Sequence, residues 1–237
     1  PILKIPYIYF EETVSINEKT KESVKEKKAY TSYAYFFPET LQTKAHVTTK
    51  VLNRNNYESA VFSSSMSFNG QYIQPDFSSR DIAAENIQWN KATILINTTN
   101  LKSIKNEVKI RIGTSDYTFE PVYNGNTKDS TESLETGYID LKKDLASAAM
   151  KFKFDITYNG SKQIKMVPIG KTTQVQMQSN WASPSFTGNF LPDDKTKQIT
   201  ANGFKANWKI LHINRAFTQQ VFDTLPNLSQ YAFGVDF

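Results

Sequence analysis

Apolar and polar positions alternate with a period of two along most of this chain, and the clearest run lies between Ile164 and Phe217. Thr173, Val175, Met177 and Trp181 share one parity, while Gln174, Gln176, Gln178 and Asn180 share the other. That is the pattern of a strand with one wet face. Phe204, Ala206, Trp208 and Ile210 repeat it against Lys205, Asn207 and Lys209, so both strands can turn their bulky rows toward a common core. Between the two, residues 181–184 and 186–192 carry the Pro, Gly and Ser that end strands and set turns.

The same reading extends along the rest of the chain. Residues 1–10 predict a first strand bearing Pro1 and Pro6, suited to a sheet edge. Glu18 to Lys28 is a charged run that reads as a solvated hairpin tip, and Ala29 to Phe37 returns as a Tyr-rich strand. Further strands are predicted at 45–52 and at 57–68, the latter closed by an Asn69-Gly70 turn. Residues 72–90 loosen into a loop or one short helical turn, and strands follow at 92–97 and 104–112. Tyr123 to Thr136 is rich in Asn, Gly, Ser and Thr and reads as a flexible junction. Asp140 to Met150 is the helix candidate, with Asp140 as cap and Leu141, Leu145 and Ala148 at helical spacing. Phe152, Phe154, Ile156 and Tyr158 alternate up to Asn159-Gly160, a strong two-residue hairpin signal.

These elements define an all-β class of antiparallel, sandwich-like sheets with one short helix near 140–150. At 237 residues the chain suits a single domain, either one compact unit or two lobes, 1–122 and 137–237, joined by the 123–136 segment. The halves echo each other. Lys44-Ala45 stands nine residues before Asn53-Arg54, and Lys205-Ala206 stands nine before Asn214-Arg215. A duplication behind that echo would give two similar sheets.

Composition sharpens the picture only in places. Aromatic residues make up 13% of the chain, and with Val, Ile and Thr they favour pleated surfaces. The formal net charge of +5 could suit nucleic acid or an anionic surface. Five Lys and three Glu between 18 and 28 carry much of that excess, however, which fits a solvated run and no nucleic-acid partner. Absence of cysteine removes disulfides and thiol catalysis. No apolar run reaches 18 residues, and the chain opens on Pro1 without an initiator Met, as a domain excised from a longer parent would.

Motifs for chemistry do not appear. His46 and His212 lack metal-ligand neighbours, neither HExxH nor a G-x-S-x-G elbow occurs, and Gly170-Lys171-Thr172 lacks the upstream Gly of a phosphate loop. Asp193-Asp194, following a proline, reads as a solvated turn and not as a cation pair. No catalytic residue, cofactor or metal site is expected. Trp181 and Trp208 read as core residues of the paired strands. Trp89, between Gln88 and Asn90, is the candidate for contact with a partner, such as a stacked sugar or a bound peptide.

Taken whole, the segment resembles the CreD family of bacterial inner-membrane, cell-envelope integrity proteins. The family run G-[KR]-x-T-x-V-x-[LM]-x-S-x-W-x-x-P-S-F-x-G-x-F-L-P is matched by Gly170, Lys171, Thr173, Val175, Met177, Ser179, Trp181, Pro184, Ser185, Phe186, Gly188, Phe190, Leu191 and Pro192. Gly203, Phe204, Ala206, Trp208, Asn214 and Arg215 continue it. Weaker matches lie at Pro1 to Tyr7, at Phe37-Pro38-Glu39 and between Tyr57 and Tyr72. The chain departs from the family at Asn100 and Ser103, where Asp and Gly are usual, and in its Lys-rich insertion near Glu18.

The resemblance implies a periplasmic domain of a polytopic inner-membrane protein, with membrane helices before Pro1 and after Phe237. It also implies a role in envelope stress and in tolerance to colicins and β-lactams. Since the signature residues are turn formers and core fillers, they read as architectural. The expected function is therefore non-enzymatic, through contacts with envelope or inner-membrane proteins. A cell-wall glycan- or peptide-binding module using Trp89 is the alternative, and an envelope hydrolase comes third.

Overall fold

The alternating segments pair into two sheets. The structure, a computed structural model, describes residues 1–98, 103–122, 133–141, 149–211 and 228–237. Its strands are β1 (Ile2–Ile16), β2 (Ser23–Phe36), β3 (Thr40–Arg54), β4 (Tyr57–Tyr72), β5 (Thr93–Asn97), β6 (Lys109–Ile112), β7 (Ser115–Val122) and β8 (Ser133–Thr136). Then follow β9 (Met150–Ser161), β10 (Gln163–Met166), β11 (Thr172–Ser179), β12 (Ser185–Gly188), β13 (Gln198–Thr200), β14 (Gly203–Leu211) and β15 (Phe233–Asp236). Twelve of them form one sheet in the order β13-β14-β11-β3-β4-β9-β6-β7-β8-β5-β1-β2, and β10-β15-β12 form a second. The chain is all-β.

The large sheet folds back on itself. Tyr72, at the end of β4, donates its hydroxyl to the carbonyl of Pro1 at 2.8 Å, although β4 and β1 stand six places apart in the sheet. Inward-facing residues from both parts, among them Leu3, Ile5, Val47, Ile94, Ile110 and Trp208, therefore share one core. Strands from the two sides of the 123–136 segment are neighbours: β3 pairs with β11 and β4 with β9, so residues 1–122 and 137–237 share one sheet. The echoed residues Ala45 and Ala206 flank Met177, one from β3 and one from β14. The two sheets, of twelve strands and three, are not alike.

One expectation of an antiparallel architecture needs amendment, because β3 and β11 run parallel. Parallel neighbours need a long crossover, and the strands lying between β3 and β11 in the chain supply it. The predicted edge is also displaced. β1 lies between β5 and β2, and β2 forms the edge. Pro6 is tolerated inside β1 because the β5 ladder covers only residues 2–4; the Pro6 carbonyl instead accepts Gln88 N–H at 2.9 Å. The charged run Glu18 to Lys28 is half tip and half strand, since β2 begins at Ser23 and pairs Lys27 with Glu12 and Lys28 with Glu11.

Two Asn-Gly pairs read as turns, Asn69-Gly70 and Asn159-Gly160, lie inside strands. Gly70 sits in β4 opposite Phe152 of β9, and Gly160 sits in β9 opposite Phe62 of β4. A Cβ on Gly160 would stand 2.5 Å from the Phe62 ring, and one on Gly70 would stand 2.1 Å from the Thr40 carbonyl oxygen and 2.8 Å from the Phe152 ring. Each glycine thus makes room for a cross-strand aromatic ring, and that packing overrides the local turn preference. The chain turns after β9 at Lys162, whose φ is 67°. Of the flexible junction, 123–132 fall outside the described residues, and Ser133–Thr136 is β8, paired with β5 and β7. The helix candidate is mostly outside too, at 142–148; Leu141 is buried, its N–H on the Trp89 carbonyl at 3.0 Å, and Met150 opens β9.

Two outcomes follow from this aromatic layer. Gly160→Ala and Gly70→Ala are each expected to lower stability by about 1–3 kcal/mol through overpacking, whereas Gly137→Ala, with nothing near its Cβ position, should stay within about 0.5 kcal/mol; urea titration of the three variants decides. Burial raises Tyr72 well above the usual phenol range and pushes Tyr158 up to about 12. Unfolded tyrosines ionise near 10, so both phenols stabilise the fold fully below about pH 10. The Tyr158 contribution fades between about 10 and 12, and that of Tyr72 from about 10 upward, as the unfolded chain loses protons first. Alkaline difference spectra should show a late tyrosinate phase that Tyr158→Phe reduces.

Candidate functional site

The residues of the sequence signature converge where the small sheet meets the large one. β11 starts from Gly170, whose N–H donates to Thr173 Oγ1 at 3.1 Å, while Lys171 N–H and Thr172 N–H donate to the carbonyls of Pro38 and Glu39 at 3.1 and 3.0 Å. Its odd positions Thr173, Val175, Met177 and Ser179 are buried and its Gln176 and Gln178 exposed, as the parity predicts. β14 lies antiparallel beside it, with Val175 opposite Trp208 and Met177 opposite Ala206. Trp208 is only 1% exposed. Its indole nitrogen has no acceptor among the described residues, so this side chain stabilises the fold by packing alone.

Over Trp208 sits the small sheet. The Phe186 ring of β12 meets Phe204 edge-on at 5.7 Å and Trp208 at 5.7 Å, and Phe233 of β15 packs on Trp208 at 5.8 Å. Phe190 meets Phe233 edge-on at 6.1 Å, and Phe237 lies against Phe62, Phe204 and Trp181. Gly188 and Gly203 adopt φ of +96° and +140°, where a Cβ would stand 2.2 Å from the Ala232 and 2.0 Å from the Ser179 carbonyl oxygen. They let strands approach too closely for any side chain. Pro192 is buried and Pro184 half-buried just before β12. Asn214 and Arg215 lie outside the described residues.

Trp181 departs from its expected place. β11 ends at Ser179, and Trp181 stands half-buried in the loop beyond, its N–H on Ser179 Oγ at 3.2 Å and its indole nitrogen on the Ser183 carbonyl at 2.9 Å. Trp89, the candidate for partner contact, lies in a 3-10 turn (Trp89–Lys91). It is half-buried and packs edge-on against Phe77 at 5.7 Å, so much of its ring is committed to the core. His46 is exposed in mid-β3, opposite Ser65 and Gln178, and not at a strand end. His212 and Asn100 are outside the described residues, while the Ser103 carbonyl accepts Asn159 N–H at 3.1 Å. Asp193 closes its own turn, Oδ1 accepting Lys195 N–H at 2.9 Å, and Asp194 pairs with Lys197 at 2.8 Å.

Three features escaped the sequence reading. Asn180, placed on the wet face, clamps β3: Thr49 N–H and Oγ1 both donate to Asn180 Oδ1 at 2.7 Å, and Asn180 Nδ2 donates to the Thr49 carbonyl at 3.1 Å. No local signal marks that role. β15 supplies Phe233 and Val235 to the core, and the alternation of Phe233, Val235 and Phe237 would have identified it. Finally, β1–β2 and β3–β4 project as ribbons beyond the core, with Phe10, Val14, Ile16, Val24, Leu52 and Tyr57 exposed.

The outward face of the large sheet is polar in ordered rows. Lys209, Gln174, Gln42, Asn69 and Lys153 lie side by side across five strands, followed by Asn207, Gln176, Lys44, Ser67 and Asp155. At its flank Arg111 holds Asp116 with two hydrogen bonds, Nε–Oδ1 at 2.7 Å and Nη2–Oδ2 at 3.0 Å. Among the described residues no group of three or more His, Cys, Asp or Glu is placed to hold a metal ion.

Fold and junction together define an all-β domain in which a three-stranded sheet is locked onto a large folded sheet by an aromatic layer. The chain belongs to the CreD family: the family model described as inner membrane protein CreD matches residues 1–237. It is similar to inner membrane protein CreD of Escherichia coli (strain K12), 23% identical over 214 residues, a match that covers 88% of this chain and 43% of that relative. The chain thus spans less than half the length of the curated relative it matches. Family membership makes it part of an inner membrane protein, as the signature implied. Among the described residues no helix is long and apolar enough to cross a membrane.

The junction yields a graded expectation. Trp208→Ala should cost about 3–5 kcal/mol. Trp208→Phe should cost less than half of that, because no hydrogen bond of the indole nitrogen is lost. Equilibrium denaturation followed by circular dichroism measures both.

Proposed function

We propose that this chain is the periplasmic domain of its inner-membrane protein and serves envelope integrity under stress through contacts with envelope or inner-membrane proteins, without catalysing a reaction. The observation that carries this reading is where the signature's side chains go. Trp208, Phe186 and Phe204 are committed to joining two sheets, and Gly188 and Gly203 to close strand approach within each. A signature built for a reaction would instead bring acids, bases or nucleophiles to a shared opening. What the domain offers outward is projecting backbone. At the β3–β4 tip, Leu52, Arg54 and Tyr57 share one face, with Tyr57 66% exposed and Arg54 directly opposite it. An aromatic and an Arg on one exposed face are the residue types that anchor protein contacts.

The polar rows on the outer face favour a second reading, in which amide, hydroxyl and Lys groups at regular spacing bind a cell-wall glycan. Photocrosslinking in living cells separates the two, with the reactive residue placed in the full-length protein at Leu52 or Tyr57 and, separately, at Ser65 or Gln176. Protein adducts from the tip positions are the expected result. Glycan adducts from Ser65 or Gln176, with none to protein from the tip, would replace the first reading with the second.

A further inference from the structure

We infer that the β1–β2 ribbon rests on the surface of an anionic lipid bilayer, through the face that carries Phe10, Val14 and Ile16. This goes beyond the contacts proposed for the β3–β4 tip and rests only on the family's residence in the inner membrane, so a failed crosslink at the tip leaves it standing.

Every residue from Tyr9 to Ala29 is exposed, and the ladder between β1 and β5 stops at Lys4. Over that length two strands stand alone for about 25 Å, with no third strand and no layer on either face among the described residues. Such ribbons are marginal in water unless something covers them. Val14 and Ile16 are nevertheless 58% and 69% exposed.

Register sorts the ribbon into two unlike faces. On one, Phe10 lies opposite Ala29, Glu12 opposite Lys27, Val14 opposite Lys25 and Ile16 opposite Ser23. On the other, Tyr9 lies opposite Tyr30, Glu11 opposite Lys28, Thr13 opposite Glu26 and Ser15 opposite Val24. The first face joins three large apolar side chains to two Lys and one Glu. The second has two Glu to one Lys, and Val24 as its aliphatic residue. Apolar groups flanked by ammonium groups are what an interface of acyl chains and lipid phosphates takes up. Lys27 already stands over the Phe10 ring, its Nζ 4.9 Å from the centroid, so an ammonium group lies directly beside the apolar row. A bilayer is at hand, because the matched relative is an inner membrane protein more than twice as long as the portion aligned.

The test is co-sedimentation of the 237-residue chain with vesicles of phosphatidylcholine, with and without phosphatidylglycerol. The wild-type chain should partition onto the anionic vesicles at least about tenfold more strongly than onto the neutral ones. V14S/I16S should lower that partition about tenfold or more, while V24S, on the opposite face, should change it less than about twofold. Thermal melts of all three chains control for folding. The inference is overturned if the folded wild-type chain does not sediment with anionic vesicles, if V14S/I16S partitions as the wild type does, or if V24S is as damaging as the double variant. Loss of a dimer in V14S/I16S on gel filtration, with vesicle partition unchanged, overturns it in favour of a second copy of the chain as the occupant.

Discussion

The architecture depends on β11 having no free edge. Residues 172–179 pair along their whole length with β3 on one side and β14 on the other. A buried strand must satisfy every N–H and C=O in this way, since each orphan costs about as much as a lost hydrogen bond. The ends are closed as carefully as the middle. Pro38 and Glu39 accept the N–H groups of Lys171 and Thr172 before the ladder begins, and the Asn180 carboxamide bonds to both the N–H and the C=O of Thr49 after it stops. Without β11, β13 and β14 would separate from the other nine strands, and the small sheet would lose the Trp208 surface beneath it.

That dependence explains why turn formers and aromatic residues dominate the signature. Two sheets of unequal width meet over a narrow strip, and within each the strands beside it pack too closely for a side chain, at Gly188 against β15 in the small sheet and at Gly203 against the end of β11 in the large one. Rings then fill what remains, Phe186 edge to face on Phe204 and Trp208, and Phe233 tilted on Trp208. Edge-to-face contacts add direction to area burial, so the layer fixes the angle between the sheets as well as their distance. A polar substitution in the strip would lose both.

The parity of β11, β14 and β9 was legible in the sequence because one face of each is wet and the other dry, which leaves a period-two trace in the residues themselves. Trp208, Val175 and Met177 were found that way. Asn159-Gly160 and Asn69-Gly70 misled for a physical reason: their turn preference is a property of the dipeptide, whereas Phe62 and Phe152, which hold them straight, lie 98 and 82 residues away in the chain. Parallel pairing of β3 with β11 leaves no local trace at all. The same holds for Asn180, whose partner Thr49 is 131 residues distant. Of the outward features, the projecting β1–β2 ribbon was half visible, since Val14 and Ile16 alternate in plain view, but nothing local says that the sheet beside them has ended.

Structure within the ribbon is itself informative about its use. Strands that leave a core lose the burial that sets their register, and a one-residue slip exchanges the two faces. Here the stacked Tyr9–Tyr30 pair at 5.5 Å, with Lys28 over the Tyr30 ring and Lys27 over the Phe10 ring, favours the register where the core no longer can. Cross-strand pairs of that kind contribute only roughly 0.2–1 kcal/mol each, enough to choose a register but too little to make an uncovered ribbon rigid. A face so defined and so weakly supported gains more from a surface that accepts both its apolar row and its lysines than a buried strand could. The interior of this domain is committed to holding two sheets together, and the ribbons are where the chain still has free surface to commit.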